Sequence, residues 1–354
     1  VKKLKETVKN ILCPGARVME EAQRKLDNLT KPRGSLGRLE EFACRVAGIT
    51  GSISPSVKNK VIFTMAGDHG VACQGVSLYP QEVTVQMVYN FLNGGAGVNV
   101  LARHIGSRVV VVDAGIAGDI KTASPIFIGK KVARGTKDFT RGAAMSREEA
   151  ARSLEAGIEA FEEEDKKERI DIIGLGEMGI ANTTAASAIT SCITGAAPDE
   201  TAGRGTGIDD KHLKVKIETI KKALKVNKPD CKDPLDVLSK VGGFEIGALA
   251  GLVLAAGARK VPVVVDGFIT ASAALIASEV SPLVRGYLFA SHDSVEKGHA
   301  VALKWMRLKP MFDFQMRLGE GTGACLGISM IEAGVKVLNE MATFESAGVS
   351  REER

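Results

Sequence analysis

The sequence predicts an α/β fold, a parallel sheet with crossover helices, beside a small helical domain drawn from both termini. Three observations carry this. After residue 51, short β-rich runs alternate with longer stretches of helical spacing, the pattern of strands joined by crossovers. Those runs are nearly continuous in apolar residues, as expected when helices cover both faces of a sheet. The first fifty residues and the last twenty-five instead space their apolar residues for helices. The expected division is therefore 1–50 with 330–354 as the helical domain, and 51–329 as the α/β domain.

In order along the chain, Leu4, Val8 and Ile11, then Val18, Ala22, Leu26 and Leu29, then Leu39, Phe42, Val46 and Ile49 mark three helices, separated by Pro14-Gly15 and by KPRGSLG. The β-rich runs are VIFTM from 61, RVVVVD from 108, IDIIG from 170, VPVVVD from 261 and LVRGYLF from 283. Ser146 with Glu149 three residues on forms a capping box that opens a long helix. Helical spacing returns at Leu326, Met330, Val335 and Leu338, and SAGVSREER reads as a frayed tail.

Composition excludes several classes of function. A net charge of +5 spread along the chain, with 5% aromatic residues, gives no basic-aromatic platform for nucleic acid. The longest nearly uncharged run, IGALAGLVLAAGA from Ile246, is too short to span a bilayer, and the charged start VKKLKETVKN is unlike a secretory signal. A cytoplasmic protein with no membrane contact is the expectation. The six cysteines have no C-x-x-C or other short-range pairing, so reduced thiols are expected.

Ligands of open parallel sheets lie beyond the carboxyl ends of the strands. Those ends read AGDHG (Asp68, His69), VVDAGI (Asp113), GLGEMGIANTT (Glu177) and VVDGF (Asp266). Gly174, Gly176 and Gly179 satisfy G-x-G-x-x-G, whose amides suit an anion at a helix start. A dinucleotide site also needs an acid closing the next strand about 20 residues later. Here that position is Asp199, with no β-run before it, and Glu177 stands where a pyrophosphate would approach. A mononucleotide phosphate fits better than a nicotinamide cofactor. LGEGTGA presents a second carboxylate, Glu320, between glycines, and GRGTGIDD supplies another glycine loop. Two such carboxylates suit acid/base work on a polar small molecule. Asp68-His69 and the pair His292 and His299 match no zinc spacing, so hydrogen-bonded histidines that orient loops are expected, with no metal.

Taken in order, LTKPRGSLGRLE, AGDHGV, YPQEVTVQMVYNFLNGGAGVNVLAR, GEMGIANTTAASA, GRGTGIDD, VGGFEIGALAG, VVVDGFITASAAL, SHDSVEKGH and RLGEGTGA resemble the nicotinate-nucleotide:dimethylbenzimidazole phosphoribosyltransferase family, whose members make the lower-ligand nucleotide of cobalamin. The resemblance implies a Rossmann-like α/β domain with a small helical domain from both termini, a homodimer and no cofactor. It implies Glu320 as general base and Glu177 as second active-site carboxylate. Substrate contacts are implied at Gly176, Met178, Gly179, Gly205, Lys216, Asp266, Ser294, Leu318, Gly319 and Gly321, with Tyr79, Gln86 and Met87 on the wall that meets the base. Lys211 and Lys214 compete with Lys216 for the place nearest the nucleotide, and Glu245 stands where some relatives are expected to carry aspartate.

The implied reaction is transfer of phosphoribose from nicotinate mononucleotide to a benzimidazole-type base, with the phosphate held by amides of GLGEMG and neighbouring glycine loops. A nicotinamide-dependent oxidoreductase and a non-catalytic mononucleotide-binding module are the alternatives.

Overall fold

The computed structural model describes residues 2–205 and 207–350. The chain begins with α1 (Lys2–Lys9), α2 (Ala16–Asp27) and α3 (Arg38–Thr50), as the apolar spacing predicts. The first strand, β1 (Lys60–Gly67), leads to α4 (Glu82–Leu92) and α5 (Gly97–His104). Then come β2 (Arg108–Gly115), β3 (Phe127–Gly129), α6 (Arg147–Lys167), β4 (Ile172–Met178), α7 (Asn182–Thr194) and α8 (Pro198–Thr201). The chain continues through α9 (Asp210–Asn227), α10 (Pro234–Val241), α11 (Phe244–Ala258), β5 (Val263–Val265) and α12 (Phe268–Val280). It ends with β6 (Leu288–Ala290), α13 (Lys297–Met306), α14 (Thr322–Glu340) and α15 (Phe344–Ala347).

Among the described residues the strands form one six-stranded sheet in the order β3-β2-β1-β4-β5-β6, every pair parallel. The central strands β1 and β4 are buried along almost their whole length, which their unbroken apolar runs require. Helix α11 is buried on all sides and packs against α6, where Gly157 and Gly251 admit backbone contact that any side chain would block. Its apolar run is therefore a core helix, and no helix of the described residues is long and apolar enough to cross a membrane.

The helical layer differs from expectation in its membership. Ala22, Leu26, Leu29, Ala43, Ala47 and Leu338 are in its small core, from α2, the loop after it, α3 and the end of α14. Helix α1 packs instead on α6 and α11, and α14 runs without a break through residue 330, from the end of the sheet into the layer. The segment from Ser346 is not frayed at its start. Thr343 caps α15, and Leu29 and Thr343 form an antiparallel bridge that ties the segment to the loop after α2. Residues 351–354 of that tail lie outside the described residues.

Two local departures have plain causes. LVRGYLF splits into a 3₁₀ turn (Pro282–Tyr287) and a three-residue strand, because Pro282 fixes a turn where the run looked continuous. Cys192, at the end of α7, is bonded to Cys231, in the loop before α10, against the expectation of reduced thiols. The two lie 39 residues apart in sequence, a separation that short-range spacing rules do not reach.

Candidate active site

A cavity of about 710 Å³ opens beyond the carboxyl ends of β4, β5 and β6, beside the point where the strand order turns between β1 and β4. Its lining has an apolar part, with Val76, Tyr79, Val83, Met87, Ile180 and Leu318, and a polar part, with Thr183, Gly205, His292, Ser294 and Glu296. Glu177 and Glu320 both line the cavity.

Glu177 is set by the sheet. Its main chain pairs with Met65 in β1, and its side chain accepts a hydrogen bond from Nδ2 of Asn182, in the first turn of α7. Burial pushes its carboxyl up to about 8, and the Asp266 and Glu245 carboxylates add to the rise. The Asn182 amide and the main-chain N–H of Glu320 act in the opposite sense. Glu177 is therefore chiefly protonated at neutral pH.

Glu320 is set by an unusual turn. Gly319, Glu320 and Gly321 have φ of 83°, 63° and 104°, three consecutive left-handed residues, and the outer two are glycines, which take this conformation without steric cost. Glu320 takes the strained middle position. Its carbonyl accepts from Thr64 Oγ1 at 3.2 Å, and its Oε2 accepts from the amide of Val98, in the first turn of α5, at 3.2 Å. Burial raises its carboxyl above the ordinary range, against the pull of the Val98 and Gly97 amides. Two acids in one cavity thus sit in different environments, the arrangement that separates acid from base roles.

Asp266, just past β5, fixes the turn from below. Its Oδ2 accepts from the amide of Gly321 at 3.1 Å, and its Oδ1 accepts from Gly323 and Ala324 at 2.6 and 3.0 Å. It caps α14 from another element. Burial holds its carboxyl up at about 7.

The G-x-G-x-x-G segment departs from the expected phosphate loop. Gly174 and Gly176 lie inside β4, paired with Ile62 and Thr64 of β1, so their part of the segment belongs to the ladder and does not form a cradle. Close packing demands these glycines. A Cβ at Gly176 would lie 2.1 Å from the carbonyl oxygen of Glu320, and one at Gly179 would lie 2.2 Å from that of Gly67. Only the end of the segment, Glu177 to Gly179, faces the cavity.

Of the expected contacts, Tyr79, Met178, Gly179, Gly205, Ser294, Leu318 and Gly319 line the cavity. Gly176, Gly321 and Asp266 lie behind it and hold the Glu320 turn. Gln86 is on the exposed face of α4, whereas Met87, expected beside it and one helical step round, lines the cavity. Lys211 and Lys214 are exposed, whereas Lys216 is fully buried. Lys216 does not reach the wall: its Nζ donates to Thr183 Oγ1 at 2.7 Å and to the Gly203 carbonyl at 3.1 Å, and burial lowers it to about 8. Glu296 grips the same loop from the other side, its Oε1 accepting from the Gly205 amide at 2.7 Å. Thr206, in that loop, lies outside the described residues. His69 is an orienting histidine, its Nε2 2.6 Å from Oε1 of Glu245 and both side chains fully buried.

A phosphoribosyltransferase family model matches residues 11–349. The chain belongs to this family. A nicotinate-nucleotide–dimethylbenzimidazole phosphoribosyltransferase of Geobacter sulfurreducens is 56% identical over 340 residues, 96% of each chain. One from Desulforamulus reducens is 52% identical, over 98% of this chain and 99% of its own. The crystal structure of the enzyme of that name from Thermus thermophilus superposes with a TM-score of 0.90 at 40% identity, over 96% of this chain and 100% of its own. The family membership accords with the α/β architecture.

The raised carboxyl of Glu177 has a consequence for stability. Its folded pKa lies above the unfolded value, so the folded state binds the extra proton between roughly pH 4.5 and 8. The stability linked to that proton is complete below this window and is lost as pH rises through it. Glu177→Gln is expected to flatten this slope and to raise stability at pH 8 by on the order of 1–3 kcal/mol relative to wild type. Urea unfolding of both proteins at pH 5 and pH 8 checks it; equal pH dependence would refute it.

Proposed function

We propose that the protein transfers phosphoribose from nicotinate mononucleotide to 5,6-dimethylbenzimidazole, releasing nicotinate and the α-ribotide that becomes the lower-ligand nucleotide of cobalamin. The convergence of Glu320 and Glu177 on one cavity lined by both apolar and polar groups carries this reading. The apolar part suits a flat aromatic base, and the polar part suits a ribose phosphate.

The chemistry asks for one base. The leaving nitrogen of nicotinate mononucleotide is a pyridinium, so the glycosidic electron pair returns to it and neutralises it, and no general acid is needed. On the other side, one imidazole nitrogen of the benzimidazole bonds to C1′ and the ring gains positive charge. Glu320, anchored at Oε2, takes the proton from the second nitrogen in its carboxylate form. Attack from the face opposite nicotinate inverts C1′ and gives the α-riboside. Glu177, protonated, remains a hydrogen-bond donor beside the reacting centre. Binding both partners in one cavity supplies the alignment that makes the displacement effectively intramolecular.

The protein acts as a homodimer in this reading. Tyr79 and Leu318 line the cavity while more than half exposed, an apolar edge that a second copy would cover. Light scattering tests this directly.

Incubation with nicotinate mononucleotide and a panel of aromatic bases, followed by chromatography and mass spectrometry, is expected to yield nicotinate and an α-ribotide. Tight NAD(H) binding without transfer would support an oxidoreductase instead. Mononucleotide binding with no nicotinate released would leave a binding module.

A further inference from the structure

His292 follows β6 and lines the polar part of the cavity, yet the transfer chemistry above gives it no task. Its ring is firmly placed. It lies nearly parallel to the rings of His299 and Phe312, at centroid distances of 5.9 and 6.0 Å. Nδ1 packs so tightly over Gly323 that a Cβ there would lie 2.1 Å away.

The hydrogen bonds fix its tautomer. Ser291 Oγ lies 3.1 Å from the main-chain carbonyl of Asp266 and 3.0 Å from His292 Nδ1. A carbonyl oxygen only accepts, so the single hydroxyl hydrogen is directed there and Nδ1 must donate to Ser291. The Asp266 carboxylate, its Oδ1 4.0 Å from Nδ1, favours a hydrogen on the same nitrogen. Burial holds the imidazole below its ordinary pKa, so the ring is neutral. Nε2 is then a lone-pair acceptor, with no protein partner among the described residues and not among the buried unpaired atoms.

An acceptor on the wall of a ligand cavity needs a donor on the ligand. Nicotinate mononucleotide has few. Its pyridinium nitrogen carries no hydrogen, its carboxylate carries none, and its phosphate is largely deprotonated at neutral pH. The two ribose hydroxyls remain. A neutral acceptor also suits a place near a phosphate, where another carboxylate would repel the ligand.

We propose that His292 accepts, through Nε2, a hydrogen bond from one ribose hydroxyl of the donor nucleotide and so selects the sugar. This rests on the nucleotide-donor reading above. The experiment measures kcat/KM with nicotinate mononucleotide and its 2′-deoxy and 3′-deoxy analogues, for wild type, His292→Leu and His292→Gln. Wild type is expected to discriminate against one analogue by about tenfold, the scale of a single hydrogen bond. His292→Leu should lose that discrimination while keeping any against the other analogue, and His292→Gln, with an amide oxygen near the place of Nε2, should restore part of it.

Equal discrimination in wild type and His292→Leu would overturn the assignment, as would a wild type indifferent to both analogues. If the variants do not fold, imidazole nitrogen NMR of wild type decides. An unprotonated Nε2 whose resonance moves on saturation with nicotinate mononucleotide supports the proposal, and an Nε2–H tautomer, or no movement, refutes it. A wild type inactive with the ribose substrate itself would instead refute the proposed function.

Discussion

Replacing Glu320 by glutamine is expected to lower kcat by roughly a hundredfold or more, the usual size of general-base catalysis, while nicotinate mononucleotide still binds. Glutamine keeps the shape and can still accept from the Val98 amide, so the left-handed turn has no reason to collapse. It cannot accept a proton. The pH profile supplies a second readout. A base must be ionised, so wild-type kcat/KM should rise with pH through the raised carboxyl of Glu320, above the range of an ordinary glutamate. That acid limb should vanish in Glu320→Gln. Wild-type turnover in the variant, or an unchanged acid limb, would remove the base from this position.

Gly176→Ala is expected to be nearly as damaging although its side chain would touch no substrate. The new methyl would lie 2.1 Å from the carbonyl oxygen of Glu320, which is main chain and is already held by Thr64. Neither side can yield by a rotamer change. Either β4 parts from β1 or the Glu320 turn moves outward, and either route costs about 1–3 kcal/mol as overpacking. A displacement of the base by even about 1 Å is enough to lose on the order of a hundredfold in rate. Gly142→Ala is the control, since nothing lies within 4 Å of a Cβ there. Calorimetry and turnover measured together test the pair. A Gly176→Ala protein with normal stability and normal kcat would contradict the packing argument.

The sheet was legible in the sequence because β1, β2 and β4 are long apolar runs, buried on both faces. Strand β3 escaped notice because three residues, Phe127–Gly129, carry no periodicity. Both carboxylates of the cavity were also legible, since an acid set among glycines has few side-chain neighbours to hide it. What surrounds them was not. The first two glycines of G-x-G-x-x-G are needed for close approach inside β4, and the one-dimensional pattern of a phosphate loop cannot be told from that. Asp266 looked like a ligand contact but caps a helix 55 residues further on, and Glu296 gave no signal because its partner, the Gly205 amide, lies 91 positions away. Long-range hydrogen bonds of this kind are set by topology, which residue spacing does not encode.

Helix α14 gives the terminal layer a stake in turnover. Its 19 residues form a rod of about 28 Å. One end abuts the turn that carries Glu320, the other is seated through Leu338 in the small core of α2 and α3, and on the way Gly334 meets the Leu39 carbonyl so closely that a Cβ would be 2.4 Å away. A rod clamped at both ends conveys axial shifts with little loss. Loosening the distant seat among α2 and α3 would therefore act as misalignment at the reacting atoms, felt by the enzyme before any unfolding is detectable.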